Sequence, residues 1–310
     1  MDVEQFVSLP VQDIAQYMQS AGPKVCVFPI NGTRRWFLLE HPPETWEGKD
    51  FLTAYHQCSV QRQLQLYRLF FEHGIDTLLM PLFGPDLLDR GPEYVQVMAA
   101  ALQELAAGPV FLDFYRQYGV RVHFYGDHRK YLGNTPYAGL SDVFDTINRE
   151  TAGHNRFHLY YGVFAHDATE TVAELGVGYF QKYGSLPDKR QLVTMYYGEY
   201  VPPVSLFIGF DRFSAFDMPL IATGSEDLYF TVSPSFYMTE GQLRRILYDH
   251  LFARRVAEQD YEQLSTAAVK RMADFYRLNG ERTLGLGEIR DGFWYPTTNV
   301  IIPPDFLGNG

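Results

Sequence analysis

Two adjacent guanidinium groups, Arg34 and Arg35, follow an Asn31-Gly32-Thr33 turn that closes an apolar run beginning at Val25 and stopping at Pro29. A diphosphate needs several charge-assisted donors at once, and backbone N–H groups at a glycine turn beside Arg forks supply them. A strand that ends in such a turn places those donors in the crevice outside the carboxyl ends of an open α/β sheet, where ligands bind. The same Asn-Gly pair is also the strongest short hairpin signal, and that geometry would leave both Arg in solvent. Other chemical motifs are absent: no GxxxxGK[ST], no HExxH and no GxSxG occurs. His154 and His158 have metal-ligand spacing but lead into a predicted strand, where four-residue spacing carries no meaning.

The segments around this stretch must position it. An amphipathic helix is predicted over residues 10–21, then strand one from Val25 to Pro29. The Pro- and Gly-broken stretch 41–50 reads as a loop that could cover the site. Asp50 is placed to cap a long helix ending at His73, with Phe51, Tyr55, Cys58, Leu66, Leu69 and Phe70 at helical spacing. Further strands are predicted at Thr77–Leu82, Val120–Tyr125, Phe157–Phe164, Val204–Phe210 and Leu228–Val232. Helices are predicted at Pro92–Ala106, Pro109–Tyr118 and Asp142–Arg149, with capping boxes at Asp167–Glu170 and Thr239–Gln242 opening two more. This alternation predicts an α/β fold with a central, mostly parallel six-stranded sheet flanked by helices. The domain organisation expected is one body over residues 1–258 and a C-terminal helix and Gly/Pro-rich tail over 259–310, packing on the body or a second subunit.

Composition narrows the partners. A formal charge of −11 argues against general nucleic-acid binding, which rests on spread Lys and Arg. Phosphate recognition should therefore be local. Two cysteines, Cys26 and Cys58, build neither a disulfide framework nor a zinc cluster. No apolar run approaches the roughly 18 residues of a membrane span, and no secretion signal is evident, so a cytoplasmic protein is expected. Without that signal, the Asn31-Gly32-Thr33 sequon lacks force.

The words GTRRWF (32–37), FEHGI (71–75), LLDRG (87–91), YYGEYV (196–201), FIGFDRFSAFDMPL (207–220) and YFTVSPSFYMTE (229–240) carry a family resemblance. Asn31 to Trp36 resembles the Asp-Gly-Asn-x-Arg-Trp signature of cis-prenyltransferases, the undecaprenyl diphosphate synthase family. The match is nearest to a divergent branch, the tuberculosinol/isotuberculosinol (tuberculosinyl adenosine) and kolavelool synthases. The resemblance implies a cis-prenyltransferase-like fold, a homodimer and a diterpenyl diphosphate substrate. It implies diphosphate contacts from Gly32, Thr33, Arg34, Arg35, Arg90, Arg212 and Ser214. The alternative for the last cations is ordinary surface pairing, Arg90 with Asp89 and Arg212 with Asp211. Tyr55 aligns with a tyrosine that lines the reaction site, and is otherwise one more core residue. Glu226-Asp227 aligns with a magnesium-binding Glu, which gives Asp227 as a metal contact.

The chemistry implied is ionisation of a preformed, bicyclic diterpenyl diphosphate and capture of the carbocation by water, giving a diterpene alcohol. Positive charge aimed at the departing diphosphate accelerates that step, and ring faces of Phe, Tyr and Trp hold the cation. No DDxxD or DxDD motif is present, so trans-type terpene synthase machinery is absent. One departure stands out: the family carries Asp where this chain has Asn31, an uncharged and weaker ligand for Mg2+. Only Gly209-Phe210-Asp211 remains of the segment that binds a second diphosphate in chain-elongating enzymes. Two alternatives stand beside water capture: transfer of the terpenyl group to a nucleoside such as adenosine, and a non-catalytic subunit that has lost its Asp.

Overall fold

The computed structural model describes residues 1–46, 48, 51–255 and 260–303. The chain opens with α1 (Val3–Val7) and α2 (Val11–Ser20), then forms β1 (Val25–Val27), α3 (Thr33–Glu40), α4 (Phe51–Glu72) and β2 (Thr77–Phe83). Helices α5 (Pro92–Ala107) and α6 (Pro109–Tyr118) lead to β3 (Val120–Tyr125), and α7 (His128–Leu132) and α8 (Leu140–Glu150) lead to β4 (Phe157–Val163). Next come α9 (Thr169–Tyr183), α10 (Lys189–Tyr197), β5 (Leu206–Phe210), β6 (Asp227–Thr231) and α11 (Glu240–Leu251). The C-terminal arm comprises α12 (Thr266–Asn279), β7 (Gly287–Arg290) and β8 (Phe293–Pro296).

Strands β1 to β6 form one sheet in the order β3-β4-β2-β1-β5-β6, and every pairing is parallel. Successive side chains of a strand point to opposite faces, so each strand serves two cores. Cys26, Leu78, Met80, Leu159 and Ile208 face one; Val25, Val27, Leu79, Tyr160 and Phe207 face the other. Helices cover both faces, as the crossovers of a parallel sheet require. The stretch Pro92–Tyr118 is apolar and long enough to cross a membrane by composition alone. Gly108, with ψ 132°, breaks it into α5 and α6, which bury Met98, Leu102, Phe111 and Phe114 in the first core.

The connection from β1 leads to one side of the sheet and that from β5 to the other, so the order reverses between these neighbours. The crevice at their carboxyl ends is the topological switch point, where α/β folds bind ligands. Both strands are buried along their whole length, so their ends are fixed.

All six predicted strands form, with shifted ends. β1 stops at Val27, and β6 begins at Asp227 rather than Leu228. The predicted loop 41–50 contains a 3-10 turn at Pro43–Trp46, pinned by the Trp46 indole N–H donating to the His41 carbonyl. The Asp50 cap and the 258/259 domain boundary lie outside the described residues. At α9 the capping box is incomplete: Asp167 accepts from the Thr169 N–H, and Ala168 occupies the cap. Complete boxes instead open α1, from Asp2 and Gln5, and α10, from Asp188 and Gln191. The tail is ordered into a hairpin by Asp291-Gly292, and the Asn279 side chain clasps the Ile301 backbone.

Candidate active site

The loop after β1 is held by one buried serine. Ser235 Oγ accepts from the Asn31 N–H at 3.1 Å and donates to the Pro29 carbonyl at 3.1 Å; its own N–H donates to the Asn31 carbonyl. Gly32 then takes φ 73° as the N-cap of α3. A Cβ there would stand 2.6 Å from the Phe210 ring, so only glycine lets this loop close against β5. Asn31-Gly32 therefore starts a helix and does not turn a hairpin. The free N–H groups of the first turn of α3 face the crevice end of the sheet with Thr33, Arg34 and Arg35, and the helix dipole adds partial positive charge.

Arg35 Nη2 lies 3.0 Å from Asp211 Oδ2, and its guanidinium carbon lies 5.3 Å from the centre of the Phe210 ring. Its side chain remains 38% exposed, so the other N–H groups are open to a ligand. Asp211 holds φ 72°, a region unfavourable to a non-glycine residue, at the first position after β5. Arg34 and Arg90 converge on one ring: their guanidinium carbons lie 5.6 Å and 5.2 Å from the centre of Tyr94. Cations from the loops after β1 and β2 thus share a face of the crevice.

The expected surface pairs do not form as read from the sequence. Arg90 pairs with Asp86 at 3.5 Å, across the 3-10 turn Pro85–Arg90, and not with its chain neighbour Asp89. Asp211 pairs with Arg35 and not with Arg212. Arg212 and Ser214 emerge from the same edge after β5 with exposed side chains. Asn31 is likewise exposed, its backbone engaged by Ser235.

Tyr55, near the start of α4, reaches back to this edge, and its hydroxyl lies 2.6 Å from Thr33 Oγ1. Burial pushes its phenol up, partly offset by the bond to Thr33 and by Arg34. The group stays neutral, able to orient a molecule but not to take a proton as a base. Around it lie Phe51, stacked at 6.0 Å, and Phe37, edge-on at 5.7 Å, with Trp46 against Phe51. These rings give the cationic edge an apolar, quadrupolar neighbour.

Asp227 is not part of this constellation. A residue that begins a parallel strand lies at the opposite edge of the sheet from the residues that follow one. There Asp227 is buried, 2.6 Å from His250 Nδ1 and 2.7 Å from Arg255 Nη2, with its charge already compensated. At the crevice edge the nearest magnesium donors are weak: Asn31 is neutral and Asp211 is bound to Arg35, and among the described residues no group of three His, Cys, Asp or Glu is arranged to hold a metal without help from a bound phosphate. No step below runs through a metal.

Four residues build this edge in ways the sequence reading does not give: Tyr94 and Ser235 are absent from it, and Phe210 and Asp211 enter it only as the remnant of a second diphosphate segment and, for Asp211, as the surface partner of Arg212. Ser235 stands in a word that carries the resemblance, and Asp211 follows a predicted strand end, so both were findable. Tyr94 was signalled only by its four-residue offset from Arg90 across a helix start. Cavities of about 510 and 460 Å3 open elsewhere, beside Arg121 and Asp145 and along α9.

Solved structures share this architecture. The chain superposes on lavandulyl diphosphate synthase from Lavandula x intermedia, in complex with dimethylallyl diphosphate, with TM-score 0.59, 14% identity and coverage of 79% of this chain and all of that one. A probable undecaprenyl diphosphate synthase from Campylobacter jejuni gives TM-score 0.53 at 13% identity, covering 78% of this chain and 99% of that one. The fold is that of the cis-prenyltransferases. By sequence, the chain is 40% identical to tuberculosinyl adenosine transferase of Mycobacterium tuberculosis (strain CDC 1551 / Oshkosh), over 94% of this chain and 97% of that protein. It is 26% identical to (+)-kolavelool synthase of Herpetosiphon aurantiacus, over 96% of each chain. The chain belongs to the tuberculosinyl adenosine transferase branch of the cis-prenyltransferase family. No family model matches it.

Proposed function

We propose that this protein ionises a diterpenyl diphosphate at the β1–β5 edge and transfers the diterpenyl group to a nucleoside, with adenosine the first acceptor to test. The observation that carries the ionisation is the set of cations at the crevice edge: Arg34 and Arg90 meet over Tyr94, and Arg35, at the N-terminus of α3, keeps donors open beside Phe210. As the allylic C–O bond breaks, its electron pair leaves with the diphosphate, and the growing charge meets these fixed donors. Each charge-assisted bond contributes about 1.5 to 3 kcal/mol. The carbocation left behind is held beside the half-buried rings of Phe51 and Tyr55, which the fully buried Phe37 backs, and a lone pair of the acceptor closes the new bond.

Nucleoside transfer is backed better than water capture, the main expectation from sequence, because the 40% identical relative is named for transfer to adenosine. Water capture has the more distant kolavelool synthase as its support. A non-catalytic subunit would have no use for three open cations at one edge. The homodimer implied by the resemblance belongs to the same reading, with sedimentation velocity as its check.

The test is a product assay with linear and bicyclic diterpenyl diphosphates, each with and without adenosine, followed by liquid chromatography and mass spectrometry. A terpenyl nucleoside formed from one substrate, with alcohol only in its absence, supports transfer. Alcohol at the same rate whether or not adenosine is present would return the reaction to water capture. Recovery of every diphosphate intact would remove the enzymatic reading.

A further inference from the structure

The C-terminal arm brings an aromatic ring to Arg35 that the chemistry above does not use. Asp291 and Gly292 adopt φ 51° and 78°, the positive values of a two-residue hairpin turn whose twist matches its strands. Arg290 therefore opposes Phe293, and Ile289 opposes Trp294. The Trp294 ring packs so closely on Gly287 that a Cβ there would stand 2.2 Å from it, so the hairpin is a tightly built platform. Phe293 is fixed at the tip of that platform, just after the turn. Its ring centre lies 5.0 Å from the Arg35 guanidinium carbon. Gly285, just before the hairpin, lies against the Phe213 ring, so the arm meets the body at both segments that frame the crevice.

Arg35 thus has two ring faces within 5.0 and 5.3 Å and a carboxylate at 3.0 Å. A planar guanidinium held by ring faces keeps its in-plane N–H fork free for a phosphate, and loses less freedom when it binds. Asp211 alone would turn the fork toward itself. The arm supplies the opposing contact, although no residue of α12 is buried and the hairpin is largely exposed.

We propose that Phe293 is a positioning residue: the β7–β8 hairpin holds the Arg35 fork toward the diphosphate, which makes the C-terminal arm a working part of the active site. This rests on the assignment of Arg35 to the diphosphate, and the test separates the two. In the full-length protein, inorganic pyrophosphate binding is measured by calorimetry for wild type, Phe293→Ala, Phe293→Leu, Phe293→Tyr and Arg35→Ala, with KM for diphosphate and acceptor and near-ultraviolet dichroism of Trp294 as a check on the hairpin.

Phe293→Ala and Phe293→Leu should each weaken pyrophosphate about tenfold and raise the diphosphate KM to match, as expected for loss of a ring-face contact. The acceptor KM and Tm should not move, and Phe293→Tyr should restore binding within about twofold because it keeps the ring face. Wild-type affinity in Phe293→Leu, with Arg35→Ala unable to bind, would sink the positioning role and leave the diphosphate site standing. Tighter binding in Phe293→Ala would show that the hairpin blocks the site and overturn the proposal. Normal binding by Arg35→Ala would overturn both assignments.

Discussion

The two edges of the sheet hold charged groups in opposite states. Where β3 and β4 begin, Glu199 accepts a 2.7 Å hydrogen bond from Tyr160 and stands 3.0 Å from His123 Nε2. Burial alone would push its carboxyl up, but these neighbours and His158 outweigh it and hold it down at about 2. Where the strands end, Asp217 is buried with Oδ1 unpartnered, and burial, opposed by His166 and reinforced by Asp86, pushes its carboxyl up to about 6. Backbone strain falls mostly on the crevice side. Of the five described non-glycine residues with positive φ, Phe164 and Asp211 directly follow strand ends and Asp217 lies in the loop after β5, where its carbonyl accepts from the Tyr125 hydroxyl at the end of β3; Leu220 lies further on, beside Ile221, which accepts from the Val204 N–H ahead of β5. One edge compensates its carboxylate, although the buried His123 Nδ1 beside it has no hydrogen-bond partner among the described residues; the other carries strain and open donors, the expected state of a site that must bind something.

The sharpest break of that contrast exchanges one cation against one anion. Arg35→Ala at the open edge should lower turnover about 100- to 1,000-fold, the size of losing a main oxyanion donor, while Tm stays near wild type. Steady-state kinetics beside a thermal melt would show it, and near-normal turnover would move the chemistry off this edge. Asp227→Ala at the compensated edge should do the reverse. It strands buried His250 beside Arg255 and should cost about 3 kcal/mol in a urea titration, with kcat per folded molecule unchanged. A loss of turnover with full stability would restore Asp227 as a functional ligand.

Asp217 gives a smaller effect of opposite sign. Its folded pKa of about 6 lies above its unfolded value of 3.8, so the folded state binds the extra proton between them. The associated stability is present on the acid side and lost as pH rises from about 4 to about 6. Asp217→Asn should therefore stabilise the protein by about 2 kcal/mol at pH 7 and flatten that pH dependence. Asn also tolerates the positive φ of 58°. No gain at pH 7 would mean that the carboxylate has a partner. Smallest of all, Tyr55→Phe removes one hydroxyl from Thr33 and should slow acceptor capture about three- to tenfold, with more hydrocarbon by-product. An unchanged product profile would return Tyr55 to the core.

The sheet was legible because its inner strands are buried on both faces and read as short apolar runs, several of them ended by Gly or Pro. The edge around Arg34 and Arg35 was legible for the same reason: strand end, glycine and cations are contiguous in the chain. Two dipeptides show where reading by type stopped. Asn31-Gly32, a hairpin signal, opens a helix because Phe210 and Pro234 close over Gly32 from segments about 180 and 200 residues away. Asp291-Gly292 is the actual hairpin, in a tail read as irregular, where the flanking residues alternate too weakly to announce strands. The pairing of Arg35 with Asp211 spans 176 residues and leaves no local trace. Asp227 was misplaced for a different reason. Its position just before a predicted parallel strand already assigned it to the wrong edge, and alignment by motif overrode that topology.

The central position of β1 bears on how the molecule is made. β1 pairs with β2 through Val25 and Thr77, but its other edge stays open until Leu206 arrives opposite Cys26. Contacts that distant in sequence form late, so the crevice between β1 and β5 does not exist until about two-thirds of the chain has been synthesised. During that interval β1 presents a bare apolar edge that a second nascent copy can pair with. Binding at this crevice, which is completed only when β5 docks, is therefore a reporter of completed folding as well as of the proposed function.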